Sequence, residues 1–398
     1  MSEKTSDHNK QIIYLLCLIG FFGIFSTTIS KNPVLPLFAK SLGADTSLLG
    51  ILSALSPLAG ILFSFPVGFL ADKLGKKKLL LVAAFIFTLA PLLYLLVTNP
   101  WWLLPVRFFH GLATAILGPI AAALIVSVYE HRRAEGLGLY SSSTLFGRML
   151  APLLGGFIIQ YFAYWGHLAN FRLVYLAAFL LSLPILIFTV LIPRQTAPAI
   201  RITGGFNIRS LILTLVDFGH SRPVFMTSLV QLITYFIYGV YETFLPLYLA
   251  SKGIASAEIG LIFSLQVFSI ALTQPFFGRL ADRIDKRLQI VFGLLVLSLS
   301  AALFTVSGNF FVLVGIGLIF GLGMSFGTVA TSARVAELSR QNELGSFLGA
   351  LSSVMDIGQT AGPLVMGFVI TALSLSTGFL VTAGLGLLVA VVYLISWS

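Results

Sequence analysis

Apolar residues occur in runs of about 20 along the whole chain, and short polar breaks separate the runs. An α-helix of about that length crosses the ~30 Å hydrocarbon core of a bilayer. The pattern therefore predicts twelve transmembrane helices, over residues 11–38, 47–71, 79–98, 101–129, 136–162, 171–192, 223–250, 257–280, 288–306, 310–336, 345–370 and 374–396.

One polar interval, residues 193–222, is longer than the other breaks and has a short amphipathic stretch from Phe206 to Phe218. We expect a cytoplasmic linker with a short amphipathic helix here, joining a six-helix bundle in residues 1–192 to another in residues 223–398. The composition agrees with this assignment, because only 10% of the residues are charged, against about 25% in soluble domains. The sequence predicts an all-α membrane protein.

The distribution of basic residues predicts the orientation of the chain. In the predicted topology, 18 of the 24 Lys and Arg residues lie on the side of the N-terminus. Because cytoplasmic loops are enriched in Lys and Arg, both termini are expected in the cytoplasm. The net charge of +10 then reflects orientation, and no nucleic-acid partner is expected. The six remaining basic residues are Lys31, Lys40, Arg107, Arg148, Arg172 and Lys252.

The second half of the chain repeats the first. A shift of 210 places residues 35–55 on 245–265 without a gap, and a shift of 211 places 137–152 on 348–363. Halves with an even number of spans repeat in parallel, about an axis along the membrane normal. This architecture predicts a path for a solute between the two halves.

The loop between the second and third spans, GFLADKLGKKK, returns between the eighth and ninth spans as GRLADRIDKRL. A carboxylate so near hydrocarbon is costly unless it has a partner, and the candidate partners of Asp72 are Lys76 and an exposed helix N-terminus. We expect the two loops to latch the cytoplasmic face when the cavity opens outward. The expected latch residues are Gly68, Asp72, Gly75, Lys76, Glu130, Asp282 and Lys286.

These loops resemble the signature of the major facilitator superfamily, a Gly, three residues, an Asp, then a Gly and basic residues; the second copy has Asp285 in place of the latter Gly. RFFHGLATA, from Arg107, resembles an Arg-x-x-Gln-Gly signature with His110 in place of Gln. GRMLAPLLGG, in span five, resembles the antiporter signature Gly-x-x-x-Gly-Pro-x-x-Gly-Gly. Its motif residues are Gly147, Ala151, which replaces the central Gly, Pro152, Gly155 and Gly156.

The resemblance implies the major facilitator fold, with twelve transmembrane helices in two pseudo-symmetric six-helix bundles that rock about a midplane site. The span-five motif is similar to that of the twelve-span drug:proton antiporters, which implies export of small amphiphilic compounds in exchange for protons. It also implies a monomer in a prokaryotic inner membrane, with Arg107 organising polar contacts in the first bundle. Plain helix packing is the alternative role for a stripe of small residues.

Two charges lie near the predicted midplane. At 1.5 Å per residue, Arg148 is about 18 Å and Asp356 about 17 Å from the cytoplasmic ends of their spans. Intramembrane charges normally face a cavity or a partner. Either the two neutralise each other, or Arg148 contacts an acceptor on the solute and Asp356 carries the coupling proton. Glu242 is a second candidate proton carrier, or the partner of a nearby cation.

Other polar residues are candidates for the cavity wall or its mouth. Lys31 and Asn32 occupy the repeat positions of Tyr241 and Glu242. Lys31 either extends its stem to the outer surface or meets Glu242 at the outer mouth. His110 either titrates or packs. Amides and hydroxyls facing lipid would stay unpaired, so we also expect these residues in the cavity: Gln231, Tyr235, Tyr238, Gln266, Gln274 and Gln359.

The sequence has no Walker loop, HExxH or GxSxG motif and a single cysteine, Cys17. We therefore expect no enzyme, no catalytic residue, no metal site and no cofactor. The expected partners are a small molecule, protons and the lipid bilayer. Two functions stay open: proton-coupled export of amphiphilic or drug-like compounds, and symport or exchange of a small organic anion that uses Arg148 and Lys31.

Overall fold

The computed structural model describes residues 2–129, 132–166, 168–193, 221–339 and 344–396. Glu130 and nearly all of the predicted linker, with its amphipathic helix, lie outside these ranges. The described residues form thirteen long or medium α-helices and two short 3-10 turns, with no strand among them. The helices are α1 Ser2–Ile29, α2 Val34–Ser41, α3 Thr46–Leu74, α4 Lys76–Leu95, α5 Leu103–Val128, α6 Arg133–Tyr161, α7 Ala169–Leu191, α8 Arg222–Ser251, α9 Ser256–Ala281, α10 Lys286–Leu303, α11 Phe310–Leu338, α12 Leu344–Ala372 and α13 Leu375–Ile395.

Within the described ranges, twelve segments are long and apolar enough to cross a membrane, with α1 and α2 counted as one. The predicted all-α membrane protein with twelve spans is thus confirmed. The first span differs from its prediction as a single helix over residues 11–38, because a turn at residues 30–33 interrupts it. Pro33 lacks the amide hydrogen that would continue the helix, and its ring disfavours helical backbone at the residue before it.

The helices form two compact units. The first contains Met1–Ala44, Leu55–Arg201 and Ala255–Ser264, and the second contains Asp45–Ala54, Ile202–Ile254 and Leu265–Ser398. The start of α3 therefore packs with the second unit, and the start of α9 packs with the first. These two exchanged segments are repeat-related, since 45–54 falls on 255–264 at the shift of 210.

Small residues allow the closest helix packing inside each unit. In the first unit, a Cβ on Gly147 of α6 would overlap the carbonyl oxygen of Phe21 on α1. In the second, a Cβ on the repeat-related Gly358 of α12 would overlap the carbonyl oxygen of Leu232 on α8. Backbones approach this closely only where side chains are small. Both units thus have a glycine at a close helix–helix contact, and the two glycines are repeat-related.

The two copies of the cytoplasmic loop make their turns differently. Gly75, between α3 and α4, has φ +88°, a conformation that favours glycine. Asp285 replaces it in the second copy with φ −61°, and its carboxylate accepts a hydrogen bond of 2.8 Å from the amide of Arg287. That bond caps the start of α10. The loss of the signature glycine is therefore compensated by a side-chain cap.

We expect Gly75→Ala to lower the stability of the protein by roughly 1–3 kcal/mol, the usual cost of a side chain in such a backbone conformation. A Cβ at Gly75 would meet no atom within 4 Å, so the cost comes from the backbone alone. Gly118→Ala is the matched control, because Gly118 lies within α5 and its Cβ would also meet nothing. Thermal unfolding in detergent should give a lower midpoint for Gly75→Ala only; equal midpoints would contradict the assignment.

Candidate functional site

The second unit contains a cavity of about 490 Å³. Its wall comes from α8, α9, α11 and α12, close to the ends of these helices that the charge distribution predicts to be cytoplasmic. Its deepest residue along α12, Met355, is eleven residues beyond the start of that helix, or about 17 Å. The cavity therefore extends from the predicted cytoplasmic end of the unit toward the membrane midplane.

The described wall of this cavity is neutral and mixed in character. Amides and hydroxyls alternate with apolar side chains, and no lining residue carries a formal charge. Such a surface can hold the apolar body of a ligand while a few hydrogen-bonding groups fix its orientation. The lining residues are Gln231, Tyr235, Gln274, Thr328, Val329, Ser332, Leu348, Leu351, Ser352 and Met355.

Three of the predicted cavity residues line this wall: Gln231, Tyr235 and Gln274. Tyr238 and Gln266 are buried, with 5% and 0% of their surfaces exposed, but they do not belong to its lining. The ring of Tyr238 is 6.2 Å from that of Tyr235 and 6.3 Å from that of Tyr241, which stacks on Phe320 at 4.2 Å. A continuous series of aromatic rings thus leads from the cavity into the core of the unit.

Glu242 is a buried carboxylate with an identified partner. It is 6% exposed, and its Oε2 accepts a hydrogen bond of 2.9 Å from Nε2 of Gln359 on α12. Gly239 permits this approach, because a Cβ there would press on the Gln359 backbone and the Pro363 ring. A buried carboxylate is stable only when hydrogen bonds or charges compensate its lost hydration. Glu242 and Gln359 therefore form a polar connection between α8 and α12.

Asp356 lies beside both the cavity and this connection. It follows Met355 of the cavity wall and is half-buried. Gln359 is three residues further along α12, and residues at that spacing are neighbours on a helix surface. The Thr360 hydroxyl donates to the Asp356 carbonyl at 2.7 Å, whereas the Asp356 carboxylate makes no ion pair or hydrogen bond with the described residues. Two carboxylates thus flank Gln359.

A second polar cluster lies in the interior of the first unit. Arg107 and His110 on α5 are 1% and 0% exposed, and the ring of Tyr94 lies 6.0 Å from that of His110. Tyr94 in turn stacks on Tyr175 at 4.5 Å. Within the described structure, Nε of Arg107 and both ring nitrogens of His110 lack hydrogen-bond partners. Such buried groups commonly bind ordered water. The side chain of His110 is packed among other residues in this structure.

The remaining predicted cations belong to the first unit. Arg148 follows Gly147 on α6, is exposed, and makes no ion pair or hydrogen bond with any described residue. Lys31 and Asn32 lie in the turn between α1 and α2, with Lys31 half-buried and Asn32 buried. The predicted meetings of Lys31 with Glu242 and of Arg148 with Asp356 join residues of different units and stay predictions.

The predicted latch residues lie at the ends of their helices. Gly68 and Asp72 belong to the last turns of α3, and Nζ of Lys76 donates to the Ala123 carbonyl of α5 at 3.2 Å. In the second copy, Asp282 is exposed after α9. Nζ of Lys286 lies 3.9 Å from Oε2 of Glu337, to which Arg334 also donates at 2.9 Å.

The span-five motif contacts α1, α2 and the start of α9 within the first unit. Gly147 faces α1, Gly155 lies against Val34 of α2 and Ile29 of α1, and Gly156 faces Ser256, the first residue of α9. The Pro152 carbonyl oxygen lies where a Cβ on Gly260 would be. The buried Ala151 occupies the same stripe. The motif therefore packs α6 against both α1 and the exchanged start of α9.

The second unit repeats this packing at its own exchanged segment. The Pro363 carbonyl oxygen lies where a Cβ on Gly50 would be, and Gly367 faces the backbone of Thr46. The hydroxyl of Thr371 is 2.6 Å from that of Thr46. Sequence reasoning missed Gly50, its repeat partner Gly260, and Gly367. The repeat itself contains their signal, since Gly50 falls on Gly260 and Gly156 on Gly367.

Comparison with known proteins gives the same architecture. The model of the Major Facilitator Superfamily matches residues 16–255 and 227–397. The chain is 26% identical to the quinolone resistance protein NorA of Staphylococcus aureus (strain COL), over 90% of this chain and 89% of NorA. It is 22% identical to multidrug resistance protein 2 of Bacillus subtilis (strain 168), over 96% of each.

The fold is also that of a solved transporter. The crystal structure of the nucleoside transporter NupG has a TM-score of 0.79 at 16% identity, and the match covers 97% of this chain and 99% of that chain. The predicted major facilitator fold is confirmed, as is the expectation that the chain is not an enzyme. With a family model matched across nearly its whole length, this multi-pass membrane protein belongs to the Major Facilitator Superfamily of transporters.

Proposed function

We propose that this transporter exports small amphiphilic compounds in exchange for protons. The observation that carries the proposal is the neutral, mixed wall of the cavity in the second unit, with Glu242 and Asp356 beside it. An uncharged wall suits compounds whose bulk is apolar, and the flanking carboxylates supply proton acceptors. The relatives named for quinolone and multidrug resistance support the same solute class.

Proton uptake at Glu242 would change the connection between α8 and α12. The ionised carboxylate accepts the Gln359 amide hydrogen. A protonated carboxyl is a donor as well as an acceptor, so proton uptake would change the hydrogen bonding of Glu242 and with it the bond to Gln359. Because α12 also supplies Ser352 and Met355 to the cavity wall, this change is transmitted to the solute site.

Alternating access would use the packing at the exchanged helix starts. In each unit this packing lies at the end opposite the predicted cytoplasmic face. The cavity of the second unit lies toward that face. We propose that the contacts of Gly50 with Pro363 and of Gly260 with Pro152 form when the outer side is closed and separate when it opens. The signature loops would latch the inner side in the opposite state, in a monomer whose termini are both cytoplasmic in a bacterial inner membrane.

The test is transport into proteoliposomes of a panel of lipophilic cations and small organic anions, each with and without a proton gradient. The proposal expects accumulation of lipophilic cations only when a gradient is imposed. Accumulation of anions alone, or transport of cations that ignores the gradient, would contradict it.

The competing function is transport of a small organic anion. One observation favours it: Arg148 is exposed near the predicted midplane, without an ion-pair partner among the described residues. If an anion binds there, Arg148→Ala should raise the solute concentration at half-maximal transport by about tenfold or more, the loss of one charge-assisted contact. Under drug:proton antiport, Arg148→Ala leaves cation transport within about threefold of the parent. Arg172→Ala, on α7 and also exposed, is the matched control.

A further inference from the structure

A second, smaller pocket lies in the same unit and shares no lining residue with the cavity. Its volume is about 200 Å³, and three guanidinium groups line it, those of Arg222 on α8, Arg287 on α10 and Arg334 on α11. Its remaining wall includes Thr227 and Tyr393, whose hydroxyl oxygens are 3.3 Å apart. Drug-sized ligands need about 300–1,000 Å³, so this pocket suits a compact polar group.

The charges around the pocket do not balance. Arg334 pairs with Glu337, which also faces Lys286 at 3.9 Å. The Asp285 carboxylate accepts the amide hydrogen of Arg287 at the start of α10. These two carboxylates stand among three arginines and one lysine, so basic groups outnumber acidic ones among the described residues named here. Like charges held this close around a small volume favour an anion among them.

The groups that line the pocket match a phosphate. Arginine presents several donors in a planar fork that fits phosphate oxygens in pairs. Both α8, from Arg222, and α10, from Lys286, begin here, and the positive ends of helix dipoles favour anions. Ser221, before α8, provides no side-chain cap to that helix. Three guanidinium groups therefore line the pocket beside the uncapped start of α8, whereas the start of α10 is already capped by the Asp285 carboxylate.

The surroundings favour a lipid as the source of the phosphate. The pocket opens at the end of the helices that the charge distribution predicts to be cytoplasmic, where anionic headgroups lie. Apolar side chains border it outside, including Phe225 at 49% and Ile395 at 65% exposed, and acyl chains can cover them. Basic pockets between transmembrane helices on this side are typical binding sites for anionic headgroups.

We propose that this basic pocket binds the phosphodiester headgroup of an anionic phospholipid. The lipid would neutralise the arginine cluster and tie α8, α10, α11 and α13 together at the cytoplasmic boundary. The proposal is independent of the transported solute, because none of its residues lines the cavity.

The experiment is native mass spectrometry of the full chain in detergent, titrated with phosphatidylglycerol or with phosphatidylcholine of the same acyl chains. The parent protein should bind phosphatidylglycerol at least about tenfold more tightly, on the scale expected for two basic residues at a membrane surface. The double variant Arg222→Gln/Arg287→Gln should lose that preference. The double variant Arg279→Gln/Arg283→Gln should keep it, because these exposed residues at the same end lie outside the pocket lining.

An equal loss of preference in both double variants would overturn the proposal, since it would mean general attraction to a basic surface. A preference retained by Arg222→Gln/Arg287→Gln would overturn it directly. A parallel arm adds inorganic phosphate at constant ionic strength. Phosphate could stabilise the parent protein but not Arg222→Gln/Arg287→Gln while the parent shows no preference between the lipids. That result would assign the pocket to free phosphate and overturn the proposal that a lipid binds there. Near-equal thermal midpoints of both variants without ligand verify that each is folded.

Discussion

Glu242→Gln is expected to abolish accumulation of solute against its gradient while leaving downhill exchange intact. The substitution keeps the size of the side chain and an oxygen that can accept from Gln359, but it removes the site for the proton. The transporter then resembles a permanently protonated form, which can exchange solute for solute yet cannot couple to protons. Uphill accumulation in proteoliposomes should fall to the level measured without a gradient.

The matched control for this variant is Glu258→Gln. Glu258 lies in the first turn of α9 and accepts a hydrogen bond of 2.9 Å from the Ala255 amide, so the change removes a carboxylate with a local structural role. We expect Glu258→Gln to retain gradient-driven uptake. Gradient-driven uptake by Glu242→Gln equal to that of the parent would refute the role of Glu242. If Asp356→Asn were the one variant to lose gradient-driven uptake, Asp356 would be the residue that carries the coupling proton.

Gly50→Leu is expected to open the outer side of the transporter. A Cβ at Gly50 would overlap the Pro363 carbonyl oxygen, and overpacking of this kind typically costs about 1–3 kcal/mol. If the packed arrangement exists only in one state of the cycle, the cost falls on that state and shifts the equilibrium away from it by about five- to 150-fold. Transport should slow, because the state in which the outer side is closed becomes the minor one.

The shift can be measured with thiol accessibility, since Cys17 is the only native cysteine. In a Cys17→Ala background, Ser47→Cys places a thiol beside Thr371, at the packed start of α3. Its reaction with a membrane-impermeant reagent should accelerate when Gly50→Leu is added. Gly384→Leu on α13, where a Cβ meets nothing within 4 Å, should change nothing. Equal rates in all three proteins would show that Gly50 is only a packing residue.

The twelve spans and the repeat follow from the sequence because both depend on regular patterns. The hydrocarbon core of a bilayer requires long apolar helices, and the lengths of the apolar runs can be read from the sequence. The break at residues 30–33 was missed although Pro33 was visible. Proline is also tolerated within spans in this chain, for example at Pro152 in α6 and Pro363 in α12. A proline alone does not distinguish a bend from an interruption.

The cavity wall was only partly predictable. Gln231 and Tyr235 stand out because an amide or phenol within an apolar helix needs a polar surrounding. Thr328 and Ser352 do not stand out, because their hydroxyls bond to the carbonyls of Met324 and Leu348 within their own helices. A hydroxyl satisfied locally can face lipid, protein or cavity alike. Gln266 has the same sequence signal as Gln231 yet does not line the cavity, since only the packing decides which helix face does.

The turns in the two copies of the cytoplasmic loop were also only partly predictable from the sequence. The sequence shows that Asp285 departs from the signature but not which turn it makes. The capping bond to the Arg287 amide is visible only in the structure. The basic pocket was equally hidden, because Arg222, Arg287 and Arg334 lie more than 40 residues apart along the chain and each alone fits the expected cytoplasmic bias.

The most direct test of proton-coupled export measures both fluxes at once. Proteoliposomes with an acidic interior and an enclosed pH indicator receive an external lipophilic cation, and solute uptake and interior pH are followed together. Antiport predicts that solute enters as protons leave, so that the interior becomes less acidic in the parent protein and stays acidic with Glu242→Gln. Solute entry at the same rate with and without the gradient, and without any change in interior pH, would contradict the account.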